Sequence, residues 1–206
     1  MHSVETGHAE FTRAIEAVLA TSVRPEFSIE QAPAPQRLAP HALTLIADAA
    51  QVDSAVSPLA ESATGRFVLL HDPDGVDEWA GTYRVVVFAR CDVEPEMLVD
   101  PLICEVAWSW VIDSLEDLGV AQVGGTVTIS SGTSFGTMAE RPGDGVVEVR
   151  ASWTPIAAED SADVVAALPD HVRAWIDILA RLAGLPPLPP GVAAMSSRRN
   201  RSSSVT

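Results

Sequence analysis

Asp100-Pro101-Leu102-Ile103-Cys104-Glu105-Val106-Ala107-Trp108-Ser109-Trp110-Val111-Ile112-Asp113-Ser114-Leu115-Glu116-Asp117-Leu118-Gly119 reads as one helix with both ends marked. Asp100 suits a capping position, where its carboxylate accepts free backbone N–H groups, and Pro101 suits the first helical residue. Gly119 suits the left-handed residue that closes a helix. At about 100° per residue the apolar positions cover well over half the circumference. Only Glu105, Ser109, Asp113 and Glu116 form a continuous polar strip. A helix this apolar is expected to touch protein on two sides, at the centre of a single core.

The 206 residues suffice for one domain with a sizeable interior. No run approaches the roughly 20 apolar residues that span a bilayer. The first ten residues lack a basic segment followed by an apolar block, so no signal peptide is expected and the cytoplasm is the expected location. Cys91 and Cys104 are then expected as free thiols. Lysine is absent, and the net charge is −15; three arginines (Arg198, Arg199, Arg201) sit in the tail, leaving −18 for the body. Such a field repels phosphate backbones and anionic lipid, which argues against direct nucleic-acid or membrane binding by the body.

Either side of the central stretch, the pattern alternates between types. Phe11–Leu19 has helical spacing. Glu26–Gln31 is extended, and the three prolines of 32–40 predict an extended strap. His41–Ala50, Gly65–His71 and Thr82–Cys91 are predicted strands, with Asp72-Pro73-Asp74-Gly75 as the turn between the last two. Residues 51–63 are predicted as a mobile loop. Gly124–Ser131 and Val146–Thr154 are two further strands. A last helix is expected from Pro169, as first helical residue, to Gly184, with Val172, Trp175, Ile176, Leu179 and Leu182 as its stripe. The order is not the strict alternation of a parallel α/β fold. It predicts an α+β single domain: a mainly antiparallel sheet of five to six strands, a buried central helix, and N- and C-terminal helices packed largely on one face. Residues 1–9 form a flexible N-terminus, 10–192 the domain, and 193–206 a disordered Arg/Ser-rich tail.

Few segments carry chemistry. Gly132-Thr133-Ser134-Phe135-Gly136 matches the nucleophile-elbow spacing, yet it leads toward another strand instead of the helix that such an elbow needs. The Glu105/Asp113/Glu116 strip has no histidine beside it and reads as a solvated helix face. His71-Asp72, at a strand end, and Gln36-Arg37, between prolines in a cation-poor chain, are candidates for contacting a ligand or partner. Trp79, in a loop, is the tryptophan expected to face a partner. There is no Gly-rich phosphate loop, zinc spacing or Cys-x-x-Cys, so no cofactor and no metal are implied.

Several segments resemble an uncharacterised actinobacterial family, a domain of unknown function. They are 33–40 (Pro-Ala-Pro-Gln-Arg-Leu-Ala-Pro), 65–73 (Gly-Arg-Phe-Val-Leu-Leu-His-Asp-Pro), 105–110 (Glu-Val-Ala-Trp-Ser-Trp) and 184–191 (Gly-Leu-Pro-Pro-Leu-Pro-Pro-Gly). The resemblance covers roughly residues 10–192 and implies no activity or catalytic residue. Missing catalytic signatures and an acidic body favour a cytoplasmic binding or regulatory module acting through a protein partner or as a homo-oligomer. The alternative is an enzyme of unknown reaction with a site near Arg37, His71 and Asp72.

Overall fold

The structure, a computed structural model, describes residues 2–49, 63–140, 143–157 and 163–187. The loop expected over 51–63, apart from Ala63, and the tail lie outside the described residues. Strands β1 (Phe27–Ala32), β2 (His41–Ala49), β3 (Thr64–Val76), β4 (Gly81–Val93), β5 (Val120–Gly132) and β6 (Asp144–Pro155) form one sheet in the order β1-β2-β3-β4-β6-β5. All neighbours are antiparallel. Helices α1 (His2–Leu19), α2 (Ile103–Leu115) and α3 (Val164–Leu182) share one face. There α1 lies on β2 and β3, α3 on β3, β4 and β6, and α2 on β6 and β5, with α3 touching both other helices. Strand periodicity supplies the inner face: Leu43 and Leu45, Phe67 and Leu69, Val85 and Val87, Val149 and Ala151 are all buried. The α+β class, the antiparallel sheet and the one-sided helices follow from the sequence pattern.

The central helix is buried along one stripe only. Ile103, Ala107, Val111 and Leu115 face inward, while Val106 and Ile112 remain 42% and 46% exposed. Asp100 does accept an N–H bond, from Leu102 at 2.9 Å, but the helix begins after Pro101, at Ile103. Gly119 lacks the left-handed backbone expected of it. Its role is close approach, because a Cβ there would stand 2.7 Å from the Ile156 carbonyl oxygen. Gly125 is required for the same reason: Trp108 of α2 would lie 2.8 Å from its Cβ and the Arg150 carbonyl nearer still. That glycine is what lets α2 settle on β5.

Four other expectations change. The first helix starts at His2 and not at Phe11, so residues 2–9 are helical. The proline segment 33–40 is not an extended strap; it is the loop that reverses β1 into β2, with Arg37 in left-handed backbone at φ 72°. The turn chemistry at Asp72–Gly75 does form, with the Asp72 carboxylate accepting the Asp74 N–H at 3.1 Å and Gly75 at φ 77°. It makes an irregularity within the hairpin, however, and the chain reverses only at Asp77–Ala80. Pro169 does not open α3 but sits inside it. The helix starts a turn and a half earlier because Asp163 accepts the Val165 N–H at 3.0 Å and because Val165 and Leu168 are buried. At its other end Gly184 behaves as expected: φ is 67°, its N–H reaches the Arg181 carbonyl, and Leu185 N–H reaches that of Ala180. Asp163→Ala is expected to cost about 1 kcal/mol, the usual worth of an N-cap, and Asp163→Ser much less. Thermal denaturation of the two variants side by side checks this. Equal loss in both would mean the cap contributes nothing.

Candidate functional site

The candidates named from sequence do not converge. His41 pairs with His71 across β2 and β3, which brings the Gln36–Arg37 loop and His71–Asp72 to the same end of the sheet. Their side chains then part. Gln36 and Arg37 are exposed, and Arg37 makes no ion pair among the described residues. His71 is 1% exposed and points under the helices, whereas Asp72 is occupied by the Asp74 N–H. Trp79 is half-buried at the hairpin tip, where its carbonyl accepts the Thr154 hydroxyl at 2.6 Å.

What surrounds His71 is a stack of rings that no motif announces. Its imidazole lies 4.3 Å from the Tyr83 ring centroid at 20°, and 5.6 Å from both Phe11 and His41. His41 stacks in turn on Phe11 at 5.3 Å, with His8 tilted against it at 5.8 Å. Burial lowers the His71 pKa, opposed by the charge of Glu10. Burial also raises that of Tyr83, and Glu10 adds to the effect. Both groups are therefore neutral at pH 7. Neither His71 Nδ1 nor the Tyr83 hydroxyl has a hydrogen-bond partner among the described residues. Face-to-face rings place their polar atoms beside one another, not in a donor-to-acceptor line. The arrangement clamps α1 to the sheet and is poorly suited to moving a proton. A second buried pair lies alongside, where Trp153 Nε1 donates to His171 Nδ1 at 3.1 Å.

The remaining chemical motifs take structural positions. Ser134 lies in the loop after β5, which enters a short 3-10 turn at Gly136–Met138, not a helix. The strip Glu105, Ser109, Asp113 and Glu116 is exposed, with Asp113 paired to Arg181 of α3 at 3.4 Å. Among the described residues no group of three His, Cys, Asp or Glu side chains is placed to hold a metal ion. Neither Cys91, which is buried, nor Cys104, which is half-buried, forms a disulfide.

The sheet's other face is where chemistry collects. No described helix lies on it. Directly opposed residues form a row across four strands, Ile46–Arg66–Phe88–Arg150, and beside it a second row, Thr44–Val68–Val86–Ser152. Between them is a hollow of about 510 Å³ whose lining includes Ile46, Val68, Val86 and Phe88 together with Arg66 and Arg150. The Arg150 guanidinium sits 5.6 Å from the Phe88 ring centroid and reaches Glu148 at 3.2 Å. Arg66 is exposed and makes no ion pair among the described residues. Arg84 is fully engaged. It donates to the Gln122 carbonyl at 2.9 Å, to Thr154 Oγ1 at 3.1 Å and to Ser152 Oγ at 2.7 Å, tying β4 to β6 and to the irregular start of β5. Four of the nine described arginines (Arg66, Arg84, Arg90, Arg150) thus project from one face of a strongly acidic chain. Strand alternation at 66, 84, 90 and 150 was readable in the sequence, but only the strand order sets Phe88 between two guanidinium groups.

Residues 8–193 match a family of proteins of unknown function, DUF3000, and the chain belongs to it. Neither the curated proteins nor the solved structures contain a match. No helix among the described residues is long and apolar enough to cross a membrane.

Proposed function

We propose that this member of the DUF3000 family is a non-enzymatic binding module whose helix-free sheet face takes a short acidic segment of a protein partner. The observation that carries it is the Arg66–Phe88–Arg150 row beside an apolar hollow of about 510 Å³. An aliphatic or aromatic side chain of the partner fills the hollow, and carboxylates on either side of it meet the two guanidinium groups. A hydrogen bond to a charged group is worth about 1.5–3 kcal/mol, so two of them supply about 3–6 kcal/mol of the roughly 8 kcal/mol that a micromolar affinity represents. Nucleic acid offers the same anionic chemistry, but the field of a chain at −15 opposes a polyanion far more than one or two carboxylates. A single half-buried phenylalanine is also a poor stacking platform for successive bases. The hollow lies on the sheet face and not at Arg37, His71 and Asp72.

The test is fluorescence anisotropy with labelled peptides that place Leu or Phe between Asp and Glu, against the same peptides with Lys for the acids. The acidic series should bind and the basic series should not. Arg66→Glu with Arg150→Glu should weaken binding by at least tenfold, about 1.4 kcal/mol. Equal binding of both series, or an affinity untouched by the double substitution, would sink the proposal.

A further inference from the structure

The sheet has two edges, and they are finished differently. At one, β1 is six residues long, contains Glu30 and leads into Pro33 and Pro35. A short strand with a charge and adjoining prolines is how natural sheets discourage further pairing. At the other, β5 runs for thirteen residues, Val120–Gly132, without a single charged residue, histidine or proline. Its only irregularity falls between Ala121 and Gly124, where Gln122 takes φ 50°. From Gly124 to Gly132 it pairs in unbroken register with β6 on one side and, among the described residues, with no strand on the other. Exposed apolar side chains gather around this same edge. Met97 and Val99 lie on the 3-10 segment that touches β5, and Ile112 lies one helical turn from Trp108, which covers Gly125. Phe135 and Met138 follow in the loop after the strand, 78% and 51% exposed.

The order of residues along the edge identifies the occupant. Gly124-Gly125-Thr126-Val127-Thr128-Ile129-Ser130-Ser131-Gly132 is close to a palindrome of side-chain type about Thr128. We infer that β5 pairs with β5 of a second copy of the chain, antiparallel, across a two-fold axis through Thr128. In that register Thr126 faces the partner's Ser130, Val127 faces the partner's Ile129, and Thr128 faces itself. Opposed residues of an antiparallel pair share a face, so hydroxyls meet hydroxyls on the open side and branched apolar groups meet beneath the helices. An interface built about a two-fold must be self-complementary, and this strand is. Neutrality matters equally: each copy carries −15, so association needs a strip that brings no like charges together. An unrelated extended peptide would need neither the symmetry nor the absence of charge. Pairing joins the two six-stranded sheets and makes their helix-free faces continuous.

Sedimentation equilibrium of the full chain should give twice the 21.8 kDa chain mass. Thr128 is exposed, so Thr128→Lys should leave the circular dichroism unchanged and return the mass to that of one chain, because two ammonium groups would meet at the axis. Register is tested by cross-linking under mild copper-phenanthroline oxidation. Thr128→Cys should form a disulfide-linked dimer, whereas Thr126→Cys should not, its copies being about 13 Å apart along the strands. A single-chain mass for the unsubstituted protein at every concentration would overturn the inference. So would a dimer that survives Thr128→Lys, or cross-linking of Thr126→Cys as fast as that of Thr128→Cys.

Discussion

Trp153→Ala should destabilise the protein by about 3–5 kcal/mol, the range for deleting a large aromatic from a packed interior. Trp153 is fully buried on β6, directly opposite Val85 of the neighbouring β4, and α3 closes over it. Its removal leaves a void between sheet and helix and also takes the donor from His171 Nδ1. Trp153→Phe separates the two contributions: it restores most of the volume but not the N–H, and should lose about 1–3 kcal/mol. Trp79→Ala, at the half-buried hairpin tip, should change stability by no more than about 1 kcal/mol. Urea unfolding midpoints read at constant slope distinguish these cases. A Trp153→Ala variant as stable as Trp79→Ala would mean that the helices do not pack on the sheet as described.

The second large effect is a dependence of stability on pH. Burial depresses the His171 pKa from 6.5 to about 4, with Asp170 pulling weakly the other way. Its Nδ1 must stay unprotonated to accept from Trp153, so the folded protein holds the ring neutral. Between these two values the unfolded chain binds the proton and the folded one does not. Stability therefore rises with pH across this window and levels off above about 6.5. The whole depression is worth about 3 kcal/mol, of which about 2 kcal/mol is lost between pH 7 and pH 5. For a chain of this size that is a fall in Tm of roughly 4–8 °C. His71, also lowered by burial, acts in the same direction. The informative quantity is therefore wild type minus His171→Gln, which cannot titrate. That difference should shrink as the pH drops from 7 to 5. A difference that stays constant would place His171 outside the acid response.

The pairing of Trp153 with His171 also illustrates what was hidden. Trp153 is legible as a core residue from its place in an alternating strand, but its partner lies 18 residues on, in a helix that starts at Val164 and not at Pro169. Pro169 is a good first helical residue, and that local preference was overridden by the capping carboxylate of Asp163 and the burial of Val165 and Leu168. The hairpin turn moved for a related reason. Asp72–Gly75 has better turn chemistry than Asp77–Ala80, yet β3 and β4 continue pairing beyond it, and Ala80 accepts a left-handed backbone at φ 54° to close the tip. Of the candidate site, Gln36, Arg37, His71, Asp72 and Trp79 each stand out by residue type and local context alone. Phe11, His41 and Tyr83, which in fact enclose His71, carry no pattern that links them.

Periodicity and turn residues sufficed to establish an α+β chain with a largely antiparallel sheet and helices on one side, because those signals depend only on neighbours within a few residues. Strand order is a different kind of information. That β6 inserts between β4 and β5 is decided by which apolar surfaces can be covered together, and this alone sets Arg66 and Arg150 on either side of Phe88 and leaves β5 as an open edge. The same global competition for cover determines that α2 buries one stripe against α3 and the sheet while Val106 and Ile112 stay in water. Hydrophobicity specifies that a surface be hidden; the packing of every other element decides which surface it is.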